Sequence, residues 1–160
     1  MTPSEQDVKW MHAALALARR AGESGEVPVG AVLVCDGTLV ASGANRVRQD
    51  NDASCHAEMV ALRAAHALTE ERHLQGTTLY VTMEPCAMCA GAIVLARLDR
   101  VVFGAWDEKA GMAGSVEDLL RHPKLNHRPE VQGGVLAEEC AAILKEFFKD
   151  RRSGAQQALP

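Results

Sequence analysis

The sequence predicts one α/β domain in which a mixed sheet of about five strands has helices on both faces. A chain of 160 residues has the length of a single domain with its own core. Strand and helix signals alternate through the middle of the chain, which predicts parallel strands joined by crossover helices. An earlier pair of strands, joined by a two-residue turn, adds antiparallel pairing to the sheet.

The N-terminal half is predicted to contain a helix, a hairpin and a second helix. Apolar residues recur at helical spacing before Gly22, and these residues are Val8, Met11, Leu15 and Ala18. Strands at 31–35 and 38–43 flank an Asp-Gly dipeptide, which favours a tight hairpin turn. A polar loop follows, and Ser54 is a suitable N-cap for a helix over residues 55–67.

The second half alternates strands and helices. Residues 77–82 are rich in β-branched and aromatic side chains, which favour a strand. Pro85 suits the first position of the next helix, which runs to about residue 98, because the missing N–H has no helical partner there. The remaining predicted elements are a strand at 100–105, a short helix at 116–121, a strand near 130–136 and an amphipathic helix over 137–152. Residues 1–152 then form the single domain, followed by a flexible tail at 153–160.

The composition narrows the class of protein. Hydrophobic residues make up 48% and charged residues 24% of the chain, which is typical of a globular domain. The longest apolar runs fall far short of the roughly 20 residues that a membrane helix needs, and the N-terminus lacks the pattern of a signal peptide. We therefore expect a cytoplasmic protein. The formal net charge of −4 argues against a broad electrostatic grip on nucleic acid, although it leaves room for a local basic patch.

Two of the five cysteines form a close pair. Cys86 and Cys89 lie three residues apart in the first turn of a predicted helix, so that both sulfurs face one side of the helix end. The helix N-terminus favours thiolates, which are zinc ligands. On this spacing alone, the pair fits a metal site and a redox motif equally well.

His56 and Glu58 stand at the opening of the other central helix. Helices that follow neighbouring strands can begin at the same edge of a sheet, where open α/β folds bind ligands. His56, Cys86 and Cys89 would then supply three ligands and leave a fourth tetrahedral position free, as in catalytic zinc sites. Glu58 would not be a ligand but the carboxylate that moves a proton from water to the substrate.

The segments HAE at 56–58 and PCAMC at 85–89 together form the signature of the zinc-dependent nucleobase deaminases. The remaining cysteines do not belong to this signature. Cys35 and Cys140 are interpreted as small core residues. Cys55 adjoins a predicted ligand, but its side chain should point to another side of the helix.

Over residues 8–152 the chain resembles the family of bacterial tRNA-specific adenosine deaminases. The resemblance rests on the segments EVPVGAVLV, HAE, TLYVTMEPCAMCAGA, RVVFGA, the spacing D-x-K-x-G-x-x-G-S, HP…NHR and FFKDRR. It implies a three-layer α/β/α cytidine-deaminase-like fold and a homodimer with RNA bound near the subunit interface. It also implies one zinc ion per subunit on His56, Cys86 and Cys89, with Glu58 as proton shuttle. The implied reaction is hydrolytic deamination of adenosine to inosine at wobble position 34 of tRNA-Arg, with release of ammonia and with no DNA partner.

The same resemblance implies the substrate contacts. Asn45 matches a residue that contacts the flipped nucleoside, and Val27 and Pro28 match residues that line the base pocket. Asp107 and Lys109 match a loop that lies against the anticodon nucleotides, and the basic tail helps to hold the RNA. Without the resemblance, Asn45 is interpreted as a turn residue, the Val-Pro pair as packing at a strand entry and the loop as a solvated surface segment.

Two places depart from the family pattern. Trp106 stands where relatives can have a charged or polar residue, and an exposed indole there would stack on a base, whereas a buried one would belong to the core. In the loop before the predicted histidine ligand, Ala53 and Cys55 replace an expected Pro and Ala, which affects the predicted shape of the loop and not the ligands.

Three alternatives remain open on the sequence. A deaminase of a free nucleobase such as guanine or cytosine would use the same zinc motif, and the acidic net charge favours a small substrate. A structural zinc module that only binds RNA would need a fourth protein ligand, for which His66 and His73 are candidates, and would not need Glu58. A metal-free redox protein would use the cysteine pair alone.

Overall fold

The computed structural model describes residues 2–158 and, from residue 153 onward, only the course of the backbone. Four helices and five strands lie within this range. In chain order they are α1 (Glu5–Glu23), β1 (Gly30–Cys35), β2 (Thr38–Ala44), α2 (Ala57–Thr69), β3 (Thr77–Met83), α3 (Ala87–Ala96), β4 (Arg100–Ala105), β5 (Glu130–Gln132) and α4 (Ala137–Ala158).

The strands form one mixed sheet in the order β2-β1-β3-β4-β5. Strand β1 is antiparallel to both β2 and β3, whereas β3, β4 and β5 run parallel to one another. Helices α2 and α3 cover one face of the sheet, and α1 and α4 cover the other. The predicted three-layer α/β/α fold with a mixed five-stranded sheet is therefore confirmed.

The central strands are apolar on both faces because each face is covered by helices. Successive side chains of a strand point to opposite faces, so Val102 packs with α1 and α4 while Phe103 packs with α2 and α3. Val32 and Leu33 divide in the same way on β1. Two hydrophobic clusters result, one on each face, and together they fix the sheet between the helix layers.

The hairpin agrees with the prediction, and the helix after it begins later than predicted. Asp36 and Gly37 have φ values of 49° and 73°, as the tight turn between β1 and β2 requires. The predicted N-cap, Ser54, instead bonds the Asp52 carboxylate through its N–H at 2.8 Å and its hydroxyl at 2.7 Å. His56 takes the N-cap position, and α2 begins at the following residue.

Three further predictions differ from the structure. The last strand, predicted near 130–136, ends at Gln132. Helix α3 is shorter than predicted, since Cys86 is its N-cap and the left-handed Arg97 ends it. The segment 116–121 forms turns in place of the predicted helix, because Ala113 pairs with Asp118 in an isolated bridge and Arg121 donates to the Ala113 carbonyl at 3.0 Å. These tertiary contacts outweigh the local helical preference.

A buried carboxylate joins α1 to the sheet at the N-terminal ends of β4 and β5. Arg100 donates to both oxygens of Asp7, at 2.6 and 3.1 Å, and to Glu130 at 3.3 Å. Burial alone would raise the pKa of Asp7, but the hydrogen bonds from Arg100 and from the Ser4 main chain outweigh it and lower the pKa below its ordinary value. The network lies at the opposite end of β4 from the segment that leads into α3.

No helix in residues 2–158 combines the length and apolarity that a membrane crossing requires. Helix α4 is described as far as Ala158, and Leu159 and Pro160 lie outside the described residues. The division into a domain at 1–152 and a flexible tail at 153–160 stays a prediction.

Candidate active site

The N-terminal ends of α2 and α3 bring three potential metal ligands together. His56 is the N-cap of α2 and Cys86 is the N-cap of α3, and neither side chain caps its own helix. Both side chains are therefore free to face each other. The Nδ1 atom of His56 lies 3.5 Å from the Sγ atom of Cys86 and 3.6 Å from the Sγ atom of Cys89.

Tight packing of α2 against the sheet sets the position of its N-terminus. Gly43 on β2 faces the first turns of the helix, and a Cβ there would lie only 2.7 Å from the Ala57 carbonyl oxygen and the Ala61 nitrogen. A larger residue would push α2 outward and carry His56 away from the thiols. Gly43 therefore fixes the depth of the site.

The donor set fits a zinc ion. With Zn–S bonds of about 2.3 Å and Zn–N bonds of about 2.0 Å, tetrahedral coordination places S and N about 3.5 Å apart. The three ligand atoms lie within 4.8 Å of one another, and the described residues contain no other such group of His, Cys, Asp or Glu side chains. His66 and His73, the candidate fourth ligands, lie in a groove between the C-terminal ends of α2 and α3. His56, Cys86 and Cys89 would thus hold the ion and leave one position open.

The two thiols have opposite pKa shifts. The hydrogen bond from Cys89, together with His56, lowers the pKa of Cys86 to about 3. The same hydrogen bond, reinforced by burial, raises the pKa of Cys89 well above its ordinary value. Hydrogen bonding to Cys86 raises the pKa of His56. These shifts favour a thiolate at Cys86 and a positive charge at the centre of the cluster.

Glu58 lies beside the three candidate ligands and not among them. It is the second residue of α2 and is 4% exposed. Burial raises its pKa to about 7, and the negative charge of Cys86 acts in the same direction. A buried carboxyl next to a metal site, but outside its ligand group, is available to accept and return a proton.

A cavity of about 480 Å³ opens onto this cluster. Three of the predicted substrate residues line it, and these are Val27, Asn45 and Asp107. Two do not line it, and these are Pro28 and Lys109. Lys109 is exposed, and its main-chain N–H donates to the Asp107 carboxylate at 3.1 Å. The cavity is large enough for a nucleoside-sized ligand.

Asn45 presents an unpaired acceptor to the cavity. Its side chain is 8% exposed, and its Oδ1 atom has no hydrogen-bond partner in the described part of the protein. A buried polar atom without a partner costs about 1–3 kcal/mol. A ligand donor that pairs with Oδ1 would remove this penalty, so Asn45 favours a substrate with an N–H or O–H group at this depth.

Helix α4 supplies a rim of the cavity that the periodicity of the sequence did not indicate. Phe147, Phe148 and Arg151 line the opening. The Arg151 guanidinium lies 4.8 Å over the Phe147 ring and donates to the Gly25 carbonyl. In the sequence, only the FFKDRR motif indicated a role for this segment. Gly25, which Arg151 contacts, lies 126 positions away in the chain.

Two buried carboxylates at the cavity wall were missed by the sequence analysis. Glu26 is fully buried and accepts the N–H groups of Arg48 and Gln49, each at 2.9 Å. Glu84 is 3% exposed and accepts hydrogen bonds from the loop after β4. Burial alone would raise the pKa of Glu84, but these hydrogen bonds, that of Ser115 foremost, lower the pKa below its ordinary value. Glu84 stands within the TLYVTMEPCAMCAGA segment, but its hydrogen-bond partners are distant in sequence.

Trp106 and Cys55 lie outside the cavity lining. The indole of Trp106 is 52% exposed and meets the Phe103 ring edge to face, with centroids 4.8 Å apart. Cys55 is buried, and its sulfur lies 3.9 Å from the Arg63 guanidinium and outside the ligand group.

This fold and this site define a zinc-dependent nucleobase deaminase. Residues 4–105 match the sequence model of the cytidine and deoxycytidylate deaminase zinc-binding region. The chain is 44% identical over 153 residues to the tRNA-specific adenosine deaminase of Bacillus subtilis, covering 96% of this chain and 95% of that protein. The chain belongs to the tRNA-specific adenosine deaminase family.

Solved structures agree with this assignment. A structure from a study of A-to-I editing by tRNA:A34 deaminases at the wobble position of transfer RNA matches with a TM-score of 0.82 and 45% identity, covering 85% of this chain and 99% of that chain. A guanine deaminase from Nitrosomonas europaea has a TM-score of 0.77 at 24% identity, covering 92% and 86% of the two chains. The second match shows the shared fold alone.

Proposed function

We propose that the protein hydrolyses adenosine to inosine at wobble position 34 of tRNA-Arg and releases ammonia, with one zinc ion per subunit. The observation that carries the proposal is the buried Glu58 carboxyl beside the His56–Cys86–Cys89 cluster, at a cavity with an unpaired amide oxygen. The tRNA-specific relatives support the choice of substrate. Because transfer RNA is the proposed substrate, we also propose a cytoplasmic location.

The proposed substrate suits a deep cavity. An anticodon loop presents its wobble base single-stranded, so the base leaves its stack at little cost. Val27 supplies apolar contact in the cavity, and the Asn45 Oδ1 atom is free to accept a hydrogen bond from the nucleoside. Asp107, at the rim, faces the neighbouring nucleotides. The anticodon loop is thereby held at the protein surface while a single nucleoside enters the cavity.

Glu58 carries the protons of the reaction. Zinc, when bound, lowers the pKa of water to about 7. Glu58 accepts one proton from the attacking water and passes it to ring N1, while the hydroxide adds to C6. Glu58 then moves the proton of the new C6 hydroxyl to the amino nitrogen, the C6–N bond breaks, ammonia leaves and the C6 carbonyl of inosine forms. One water is consumed for each ammonia released, and Glu58 returns to its starting state.

The direct test is deamination by the purified protein of an anticodon stem-loop with adenosine at the wobble position. Free guanine, cytosine and adenosine are offered in parallel, since the fold is shared with a guanine deaminase and the net charge is −4. We expect inosine at the wobble position and no ammonia from the free compounds. Ammonia from a free base, with the stem-loop unchanged, would contradict the tRNA substrate and keep the deaminase chemistry.

We further propose a homodimer that buries the outer face of α3. This helix is apolar on all sides, and a helix of that kind is normally buried all round. Met88 and Leu95 on its outer face are nevertheless 36% and 78% exposed, and Leu68 of neighbouring α2 is 71% exposed. A second copy of the chain would cover this patch, in agreement with the dimer that the family resemblance implies.

Substitution L95E is therefore expected to convert the dimer to a monomer in sedimentation velocity, because a charge at the centre of an apolar interface loses its hydration without a partner. The matched control is L39E on strand β2, where the side chain is 48% exposed and lies away from α3. We expect L39E to remain a dimer. A monomeric wild-type protein, or a dimer that L95E leaves intact, would refute this interface.

A further inference from the structure

The carboxylate of Glu84 accepts hydrogen bonds from both ends of the loop 107–115. Its Oε1 atom accepts the Asp107 N–H at 3.1 Å and the Ser115 hydroxyl. Its Oε2 atom accepts the N–H groups of Ala113 at 3.0 Å and Ser115 at 3.1 Å. Four donors therefore converge on one buried side chain, and all of them come from a segment 23–31 residues further along the chain. A loop that would otherwise be a solvated surface segment is thereby given one conformation.

The residue types of the loop fit this carboxylate. Gly111 passes so close to Glu84 that a Cβ at position 111 would overlap the carboxyl group. Ser115 contributes both its main-chain N–H and its hydroxyl. The Asp107 carboxylate in turn accepts the N–H groups of Lys109 and Ala110, at 3.1 and 3.2 Å, and so folds the first turn of the loop. The D-x-K-x-G-x-x-G-S spacing thus has a structural basis inside the protein, apart from any RNA contact.

Glu84 also lies where the cavity wall meets the ligand cluster. It follows β3 directly, stands two positions before Cys86, and its own N–H donates to the Ala105 carbonyl at 2.8 Å. The Met112 N–H donates to the Pro85 carbonyl, also at 2.8 Å. The loop is therefore fastened to the segment that opens α3. Asp107 and Ala110 from the loop line the cavity, so the position of this wall relative to Cys86 depends on Glu84.

We propose that Glu84 is a positioning residue, which holds the loop 107–115 against the start of α3 so that Asp107 forms a fixed substrate-facing wall of the cavity. The claim that Asp107 faces the substrate rests on the proposed function, whereas the claim that Glu84 fixes the loop does not. Glutamine would not replace Glu84, because its amide has one oxygen to accept hydrogen bonds and an NH₂ group that would face the loop N–H groups.

The first test compares E84Q and S115A with the wild-type protein by hydrogen exchange. In E84Q the amides of residues 107, 113 and 115 are expected to exchange about tenfold faster, as the loss of one effective hydrogen bond implies. S115A removes a single hydroxyl donor and should change the exchange in the same direction by less. The matched control E130Q alters a carboxylate at the far end of the sheet and should leave these three amides unchanged. Unchanged exchange in both E84Q and S115A would overturn the proposal.

The second test asks whether Glu84 acts on the substrate through Asp107. With the wobble stem-loop, E84Q is expected to raise KM about tenfold while kcat and zinc content stay near wild type, since misplacement by about 1 Å costs up to 100-fold. D107A is expected to raise KM too, and the double variant should not exceed the larger single effect. Additive effects, or zinc lost in proportion to activity, would overturn the positioning role.

These measurements separate the proposal from the proposed function. A wild-type protein that leaves the stem-loop unchanged would refute the tRNA substrate, and the exchange of the three amides would still decide whether Glu84 holds the loop. If E84Q does not fold, S115A decides instead, because the half-buried Ser115 hydroxyl contributes only one of the four hydrogen bonds. Faster exchange together with the raised KM supports the proposal.

Discussion

Substitution E58Q is expected to reduce kcat on the wobble stem-loop by about 10⁴-fold, the upper end of what proton transfer contributes to catalysis. Glutamine has nearly the same volume and keeps a hydrogen-bonding oxygen. It can neither accept the proton of the attacking water nor deliver one to ring N1. The loss should appear in single-turnover kinetics, which measure the chemical step free from product release. We expect E58A to behave alike.

The zinc content of E58Q should remain that of the wild type, because Glu58 lies outside the ligand group. Its unfolding temperature should also be close to wild type, since an amide of similar size replaces a buried carboxyl. E138Q, which changes an exposed glutamate in the first turn of α4, is the matched control and should keep full activity. Turnover retained in E58Q would refute the assignment of Glu58, and zinc lost from it would make the residue a ligand.

The sequence predicted those parts of the site whose signals are local. The Asp-Gly turn fixed the hairpin because only a few residue types tolerate its positive φ values. The spacing of Cys86 and Cys89, together with a histidine at the next helix opening, predicted a cluster that the structure brings together within 4.8 Å. These features depend on residues close in the chain, or on the general rule that helix openings meet at one edge of a sheet.

Most of the rest of the site could not be predicted because the residues that contact each other are far apart in the chain. Glu84 lies within a motif of the family, but the groups that donate hydrogen bonds to it lie at least 23 positions away. Arg151 reaches the Gly25 carbonyl across 126 positions. Ser54 is a residue type that favours the N-cap, but both its hydroxyl and its N–H donate to Asp52, and His56 takes the N-cap position. Competition of this kind is visible only once the loop is folded.

Substitution C89A is expected to abolish zinc binding and, with it, activity. Cys89 is fully buried, and its sulfur lies 3.6 Å from the His56 Nδ1 atom. Its removal leaves two ligands, which cannot complete a three-ligand site with one open position. The zinc content measured by atomic absorption should fall from about one ion per chain to near zero. C55A is the matched control, because Cys55 is also buried but its sulfur lies near Arg63 and outside the candidate ligand group.

The thermal response to a chelator gives a readout of zinc that does not depend on activity. A ligand that binds only the folded state stabilises it by about 4 kcal/mol at 1,000 times its dissociation constant. Wild type and C55A should therefore unfold at a lower temperature once a chelator is added, whereas C89A should not respond. A chelator response that survives in C89A would mean that other side chains hold the metal. If the unfolding temperature of the wild type does not change with chelator, the stability of the fold does not depend on the metal. The two thiols and His56 would then hold the two helix ends together by their own hydrogen bonds.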